Sequence, residues 1–227
     1  MGKLIVIEGV DSSGKQTQTE MLFKRLKEEG LNVKTVSFPD YESDFSLPVR
    51  RYLAGDLGTD PKDVNAYAAS TFYAIDRYAS FKRDWGEFYN DGGVVVADRY
   101  VTSNIVHQAS KVSENEKEQF IDWLSDLEYK KMGLPVPDCV IFLDMPPEYA
   151  RMLMKERLNK ITKEAQKDIH ERDKNHLETS YNNAKAIAKY LNWYEISCVK
   201  DEKVRTREEI AEEIYKKVKM TIEHSRE

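Results

Sequence analysis

The sequence predicts one α/β domain in which five parallel strands are covered by helices on both faces. Short runs that are apolar at nearly every position alternate along the chain with segments of helical periodicity. Such runs are typical of strands buried on both faces of a parallel sheet. A glycine-rich loop follows the first run, and no stretch rich in proline, glycine or serine divides the chain. We therefore expect a single domain over residues 1–227.

The elements are predicted from hydrophobic periodicity and from the glycine and proline residues that end them. The predicted strands cover residues 4–7, 32–38, 94–97, 138–144 and 193–198. The predicted helices cover residues 16–29, a short segment before Gly55, a long segment from Asp60 towards Trp85, and residues 102–109, 114–131, 148 onwards, 173–191 and 206–222.

Composition limits the class of protein. Charged residues make up 33% of the chain, with a formal net charge of −5, so no overall basic field indicates a nucleic-acid partner. The sequence contains no apolar run of about 18 residues, the length that a membrane helix requires. We expect no membrane segment and a cytoplasmic location. Cys139 and Cys198 each lie in a strand-like run, where buried free thiols are expected.

Residues 9–16 form a candidate phosphate-binding loop. An apolar run precedes Gly9, and Gly14 and Lys15 open a helical segment. In this order of strand, glycine-rich loop and helix, backbone N–H groups and the positive helix N-terminus surround phosphate oxygens, and Lys15 adds a cation for the β- and γ-phosphates. The expected phosphate ligands are Gly9, Val10, Asp11, Ser12, Ser13, Gly14, Lys15 and Gln16.

The loop departs from the common phosphate-loop pattern at its last position. The pattern ends in a serine or threonine that ligates Mg²⁺, whereas this chain has Gln16. Asp98 follows the third predicted strand, where an acid can hold Mg²⁺ directly or through water. The amide oxygen of Gln16 is a second candidate ligand. An Asp98–Arg99 pair that merely caps a strand end is the alternative, and the phosphate loop in the same chain favours a functional site.

Two further segments have both a functional and a structural interpretation. Tyr73 and Arg77 share a helix face and could stack on a base and bond its edge, although spacing alone favours a core tyrosine beside a solvated arginine. The basic segment 151–172 is either a solvated helix face or a lid over the phosphates. Residues 10–13 contain no arginine or lysine, so an extra catalytic cation would have to come from this later segment.

Together these segments resemble the thymidylate kinase family of nucleoside monophosphate kinases. Its motifs occur in the same order over nearly the whole chain: E-G-x-D-x-x-G-K at 8–15, F-P with Tyr41 at 38–41, a helix motif at 50–55, F-Y-A-I-D-R at 72–77, D-R-Y-x-x-S-N at 98–104, and a lid signature at Arg151 and 168–173. The resemblance implies a three-layer P-loop NTPase-like fold with a short lid at about 151–173. It also implies ATP-dependent phosphorylation of dTMP to dTDP, Mg²⁺ dependence and a homodimer.

The resemblance implies roles for individual residues. Lys15 neutralises developing charge, Asp11 lies between donor and acceptor, and Arg99 holds the acceptor phosphate. Arg151 is the first candidate for the catalytic lid arginine, and Arg157 and Arg172 are the next candidates at ATP. His107 stands where the family often has a tyrosine that disfavours a ribose 2′-hydroxyl. The implied dTMP-binding residues are Phe38, Tyr41, Tyr73, Arg77, Arg99, Ser103, Asn104, Gln108 and Glu171.

Two alternatives remain open at this point. The chain could be another nucleoside, deoxynucleoside or nucleoside monophosphate kinase, which would have the same phosphate loop. It could also be a nucleotide-binding regulator without transfer activity, in which the basic lid and the face of Tyr73 and Arg77 would have no use. A GTPase would carry the guanine-reading motif Asn-Lys-x-Asp, which the sequence lacks.

Overall fold

The computed structural model describes residues 1–160 and 176–223, with side chains for 1–154 and 177–223. Within these ranges five strands form one parallel sheet in the order β2-β3-β1-β4-β5. This confirms the predicted fold class. The strands are β1 (Lys3–Gly9), β2 (Val33–Ser37), β3 (Val94–Asp98), β4 (Cys139–Asp144) and β5 (Tyr194–Ser197). A short antiparallel pair, β6 (Val199–Lys200) and β7 (Lys203–Val204), was not predicted.

Helices cover both faces of the sheet. They are α1 (Lys15–Glu28), α2 (Leu47–Ala54), α3 (Ala66–Ser80), α4 (Gly86–Asn90), α5 (Val101–Gln108), α6 (Lys117–Ser125), α7 (Pro147–Lys160), α8 (His176–Tyr190) and α9 (Arg207–Glu223). Helices α1, α7 and α9 contribute to the core on one face, and α3, α5, α6 and α8 contribute to the core on the other. Wider π-helical turns follow α3 at Phe81–Trp85 and α6 at Asp126–Lys131.

The central strand β1 shows why the predicted strands are apolar at every position. Leu4 and Val6 belong to the core on one face, while Ile5 and Ile7 belong to the core on the other. All four side chains are fully buried. A strand covered on both faces needs apolar residues at successive positions, because alternate side chains point to opposite faces.

The predicted start of the long helix at Asp60 was wrong. Helix α3 begins at Ala66, after the side chain of Asn65 caps its first turn. Before that cap, the backbone N–H of Asp60 donates to the carboxylate of Asp63 at 3.0 Å, and the N–H of Lys62 donates to Asp60 at 2.8 Å. Aspartate side chains thus satisfy backbone groups locally, which competes with helix formation.

The strand order places two loops side by side at one edge of the sheet. Strand β1 lies between β3 and β4, and Ile7 of β1 pairs in register with Asp98 of β3. The loops that leave the carboxyl ends of β1 and β3 therefore emerge together, which is where open parallel sheets bind their ligands. None of the helices within the described ranges has the length and apolar character of a membrane span.

Phe142 provides a test of the sheet core. It is fully buried in β4, and Phe142→Ala should lower the free energy of unfolding by about 3–5 kcal/mol because the substitution leaves a cavity. Urea-induced unfolding measures this loss. The control is Phe45→Ala, since Phe45 is 43% exposed and its loss should change stability by about 0.5 kcal/mol or less. Equal losses in the two variants would contradict this account of the core.

Candidate active site

The loop between β1 and α1 has the backbone of an anion-binding turn. Gly14, just before Lys15, adopts a left-handed conformation with φ of 92°, and Ser12 has φ of 62°. A Cβ atom at Gly9 would lie only 2.5 Å from the hydroxyl of Ser13, so glycine permits the close turn. The loop leads directly into the N-terminus of α1, where free N–H groups and the helix dipole favour a bound anion.

Lys15 lies inside this loop rather than in solvent. Its ammonium group donates hydrogen bonds to the carbonyl oxygens of Gly9 at 2.9 Å and Val10 at 2.7 Å. Burial, together with the positive charge of Arg99, lowers the pKa of Lys15 to about 8 against the opposing effect of Asp11 and other carboxylates. The loop therefore holds a poorly solvated cation, for which a phosphate group is a suitable partner.

Arg99 is the second cation of the site. Its Nη2 donates to the carboxylate of Asp11, its Nη1 donates to the hydroxyl of Ser103 at 3.4 Å, and Nη1 lies 3.1 Å from Nε2 of His107. Burial alone would lower the pKa of Arg99, but the carboxylates of Asp11 and Glu8 outweigh burial and raise it. Arg99 remains charged and connects the loop after β3 to the loop after β1.

Glu8 supports this arrangement from the end of β1, and no role was predicted for it. It is 1% exposed and accepts hydrogen bonds from the hydroxyls of Thr102 at 2.9 Å and Ser103 at 2.7 Å. Its carboxylate also lies 3.9 Å from Arg99. The available signal was a single acidic residue within an otherwise apolar strand, which is costly to bury unless it is paired.

Asp98 has the properties of a metal ligand. Its Oδ1 is buried and has no hydrogen-bond partner among the residues that the structure describes. Burial raises the pKa of Asp98, and the nearby charges of Lys15 and Arg99 oppose that shift. A carboxylate oxygen with a free lone pair beside a phosphate loop fits Mg²⁺. Gln16 is exposed, and its amide nitrogen donates to Glu20 at 3.0 Å.

A cavity opens beside Arg99, and it gathers every predicted dTMP-binding residue whose side chain the structure describes. These residues are Phe38, Tyr41, Tyr73, Arg77, Arg99, Ser103, Asn104 and Gln108. Asp11 of the phosphate loop and His107 line the same cavity, as do Leu53 and Tyr100, which lie within the motifs at 50–55 and 98–104 but had no predicted binding role. Oε1 of Gln108 is buried without a hydrogen-bond partner in the described part of the chain, so it can accept a hydrogen bond from a ligand.

The loop that forms one wall of the cavity is tied to helix α3. The Phe38–Pro39 peptide bond is cis, and the backbone N–H of Asp40 donates to Oδ2 of Asp76 at 2.9 Å. Burial raises the pKa of Asp76. Because Tyr73 lies on the same helix one turn earlier, this hydrogen bond connects the loop to the helix that carries the aromatic side chain of the cavity.

Arg77 is not the solvated arginine that spacing alone favours. It is 2% exposed, and its Nε and Nη2 both donate to the carboxylate of Glu128 at 2.6 Å. Nη1 lies 3.5 Å from the carbonyl oxygen of Tyr100. Glu128 was missed because it is one of several acidic residues on a helical segment, and its partner is 51 positions away.

The predicted lid is described only in part. Arg151 lies on α7 with 44% of its side chain exposed, and it donates to Glu178 of α8 at 2.8 Å. The side chain of Arg157 lies outside the described residues, as do Glu171 and Arg172 entirely. The role of the lid arginines therefore stays a prediction.

Comparisons with known proteins agree with this geometry. The thymidylate kinase family model matches residues 7–219. The chain is 33% identical to the thymidylate kinase of Mycobacterium tuberculosis over 171 residues, which is 75% of this chain and 78% of that protein. It is 32% identical to the thymidylate kinase of Caldicellulosiruptor saccharolyticus over 218 residues, 95% of each chain. The family match spans the phosphate loop, the cavity and most of the sheet, and the chain belongs to the thymidylate kinase family.

Proposed function

We propose that this protein transfers the γ-phosphoryl group of ATP to dTMP and forms dTDP. The observation that carries the proposal is the cavity beside the phosphate loop, whose lining includes the cation of Arg99 and the aromatic side chain of Tyr73. A nucleoside monophosphate has a phosphate that can bind the cation and a flat base that can stack on the aromatic ring. Membership of the thymidylate kinase family supports thymine as the base.

On the donor side, the triphosphate of ATP lies in residues 9–16, with backbone N–H groups and Lys15 around its oxygens. The free oxygen of Asp98 supports Mg²⁺ at this position, bound directly or through water, and the amide of Gln16 is the second candidate ligand. When bound, Mg²⁺ neutralises charge on the β- and γ-phosphates. Lys15 adds positive charge where negative charge develops during transfer.

On the acceptor side, Arg99 binds the phosphate of dTMP and Tyr73 stacks on thymine. The phosphate oxygen that attacks is already ionised, so the reaction needs no general base from the protein. Asp11 bonds Arg99 and therefore sets the separation between the phosphate loop and the acceptor. Catalysis then rests on positioning and on electrostatic stabilisation of the transferred group.

The remaining predictions form part of the same proposal. Arg151, followed by Arg157 and Arg172, supplies the lid cation for the transferred phosphoryl group, and Glu171 completes the dTMP site. Residues 1–227 act as one domain in a cytoplasmic homodimer, with no nucleic-acid or membrane partner. The family resemblance of the sequence supports the lid residues, Glu171 and the homodimer. The composition of the sequence supports the cytoplasmic location and the absence of a nucleic-acid or membrane partner.

Removal of Arg99 tests the acceptor site. Arg99→Ala should lower kcat/KM for dTMP by about 10²–10³-fold, because the acceptor phosphate loses its charged donor, while KM for ATP changes little. A coupled assay of ADP formation measures this loss. The control is Arg51→Ala, which removes an arginine that is 67% exposed and pairs with Asp56. Turnover of Arg99→Ala near that of the wild type, in protein with an unchanged circular dichroism spectrum, would refute the proposal.

An acceptor panel tests the reaction itself. We expect phosphorylation of dTMP in preference to dUMP, UMP and dGMP, and no phosphorylation of thymidine, which lacks the phosphate that Arg99 binds. Chelation of Mg²⁺ with EDTA should abolish transfer because charge on the triphosphate is no longer neutralised. Binding of ATP without transfer to any member of the panel would instead favour a regulator.

The pKa of Lys15 predicts how ATP binding depends on pH. Because this pKa is about 8 in the free protein, a smaller fraction carries the binding-competent ammonium as pH rises, and Kd for ATP should increase by up to about tenfold per pH unit above that value. Isothermal titration calorimetry from pH of about 7 to about 10 measures the change.

The matched control is Lys15→Arg, whose guanidinium stays charged over the whole range. Its Kd for ATP should be insensitive to pH over the interval in which the wild type loses affinity. A flat profile in the wild type, or the same inflection in Lys15→Arg, would show that deprotonation of Lys15 does not control binding.

A further inference from the structure

Arg77 and Glu128 form a buried, two-pronged ion pair at the wall of the acceptor cavity. Both hydrogen bonds measure 2.6 Å, and the side chains are 2% and 0% exposed. Among the described residues Arg77 lines the cavity, whereas Glu128 does not. Glu128 therefore contacts the arginine without being part of the surface that a ligand would touch.

The two bonds leave Arg77 with a defined set of free donors. A guanidinium has five N–H groups in one rigid plane. Glu128 accepts from Nε and from Nη2. Within the described part of the chain, the outer hydrogen of Nη2 and the hydrogens of Nη1 then have only the carbonyl oxygen of Tyr100 as a recorded partner. The contact of Nη1 with the carbonyl of Tyr100 is long, at 3.5 Å, which leaves this edge of the guanidinium available to a ligand.

Glu128 is itself held in place from several sides. Its carboxylate accepts from Nδ2 of Asn104 at 3.3 Å, and Asn104 also donates to the carbonyl of Ser70 at 3.1 Å. Its backbone carbonyl accepts from the N–H of Leu134 at 3.0 Å. Glu128 lies on the π-helical turn after α6, a local widening that is frequent at functional sites.

The electrostatics keep Arg77 charged. Burial alone would lower the pKa of Arg77, but the charge of Glu128 and its hydrogen bonds outweigh burial and raise it. An arginine held in this way presents donors only. A base with a carbonyl oxygen opposite the free edge of the guanidinium can accept a hydrogen bond from it. A base with an amino group at that position could not, because both groups would be donors.

The family resemblance implies that Arg77 reaches a carbonyl of the base, and we propose that Glu128 is the positioning residue that holds Arg77 in the orientation which this contact needs. This inference rests on the proposed function. It assigns to Glu128 the discrimination of thymine from cytosine, whose ring carries an amino group in place of one carbonyl. A site built around a fixed hydrogen bond rejects analogues that cannot form it far better than an apolar pocket does.

The experiment compares Glu128→Gln and Glu128→Asp with the wild type in steady-state assays of dTMP and dCMP. Glutamine keeps the shape of the side chain but removes the charge and one acceptor, and aspartate keeps the charge on a shorter side chain. In Glu128→Gln we expect KM for dTMP to rise by about tenfold or more, with kcat and KM for ATP within about threefold of the wild type. In the same variant, the ratio of kcat/KM for dTMP to kcat/KM for dCMP should fall. Glu128→Asp should have a higher value of this ratio than Glu128→Gln.

Asp126→Asn is the matched control, because Asp126 lies on the same π-helical turn, is 40% exposed and pairs only with exposed lysines in the described structure. It should leave KM for dTMP and the dTMP:dCMP ratio unchanged. If Glu128 has a purely structural role, Glu128→Gln would lower Tm and the yield of active enzyme. The enzyme that remains active would then keep the wild-type KM for dTMP and the wild-type dTMP:dCMP ratio. That result in folded Glu128→Gln would overturn the proposal.

If Glu128→Gln does not fold, the paired variant Arg77→Leu/Glu128→Leu removes both charges together, which buried sites tolerate better than the loss of one. Retention of the wild-type dTMP:dCMP ratio in the paired variant would also overturn the proposal. Because removal of Arg77 by itself lowers the ratio, support then rests on a lowered ratio in Glu128→Asp, in which Arg77 is intact. Wild-type protein that neither binds nor phosphorylates dTMP would refute the proposed function as well. Wild-type protein that phosphorylates dTMP, together with unaffected variants, would refute only the role of Glu128.

Discussion

The ion pair between Arg99 and Asp11 joins the two halves of the site. Asp11 belongs to the loop after β1 and Arg99 to the loop after β3. The backbone N–H of Arg99 also donates to the carbonyl of Ile7 at 3.2 Å. The pairing of β1 with β3 therefore determines the position along the strands at which the two loops meet. The proposed donor and acceptor phosphates would be bound on either side of this pair. Their separation is thus a consequence of strand register, which is rigid, rather than of loop conformation.

The charges around this pair do not balance, and the imbalance bears on the proposed metal. Lys15 and Arg99 are positive, while the three nearby carboxylates belong to Glu8, Asp11 and Asp98. Buried charges are costly unless they are paired, and Oδ1 of Asp98 is buried without a hydrogen-bond partner in the described chain. A polyphosphate that enters such a site brings more negative charge. A divalent cation that enters with it would serve both the nucleotide and Asp98.

Sequence reasoning succeeded where a structural requirement is local. The strands, the loop at residues 9–16 and the residues just after β3 could be predicted, because burial on both faces and tight backbone turns each restrict residue type over a few positions. It failed at the start of α3, where the turn around Asp60 and Asp63 satisfies the backbone instead. It also failed at Glu128, whose partner is 51 residues away, because no short pattern records a contact between two distant helices.

The pair of Arg77 and Glu128 is difficult to explain by stability alone. Replacement of a buried ion pair by apolar residues of similar volume is often neutral or stabilising by about 1–4 kcal/mol. The adjacent wall of the cavity shows that apolar packing is available here, since Leu53 lines the cavity and packs with buried Val49 and Tyr52. A charged pair within such surroundings is retained at a cost in solvation. Recognition of a polar group on the ligand gives a reason for that cost, because a ligand carbonyl needs a donor that packing cannot supply.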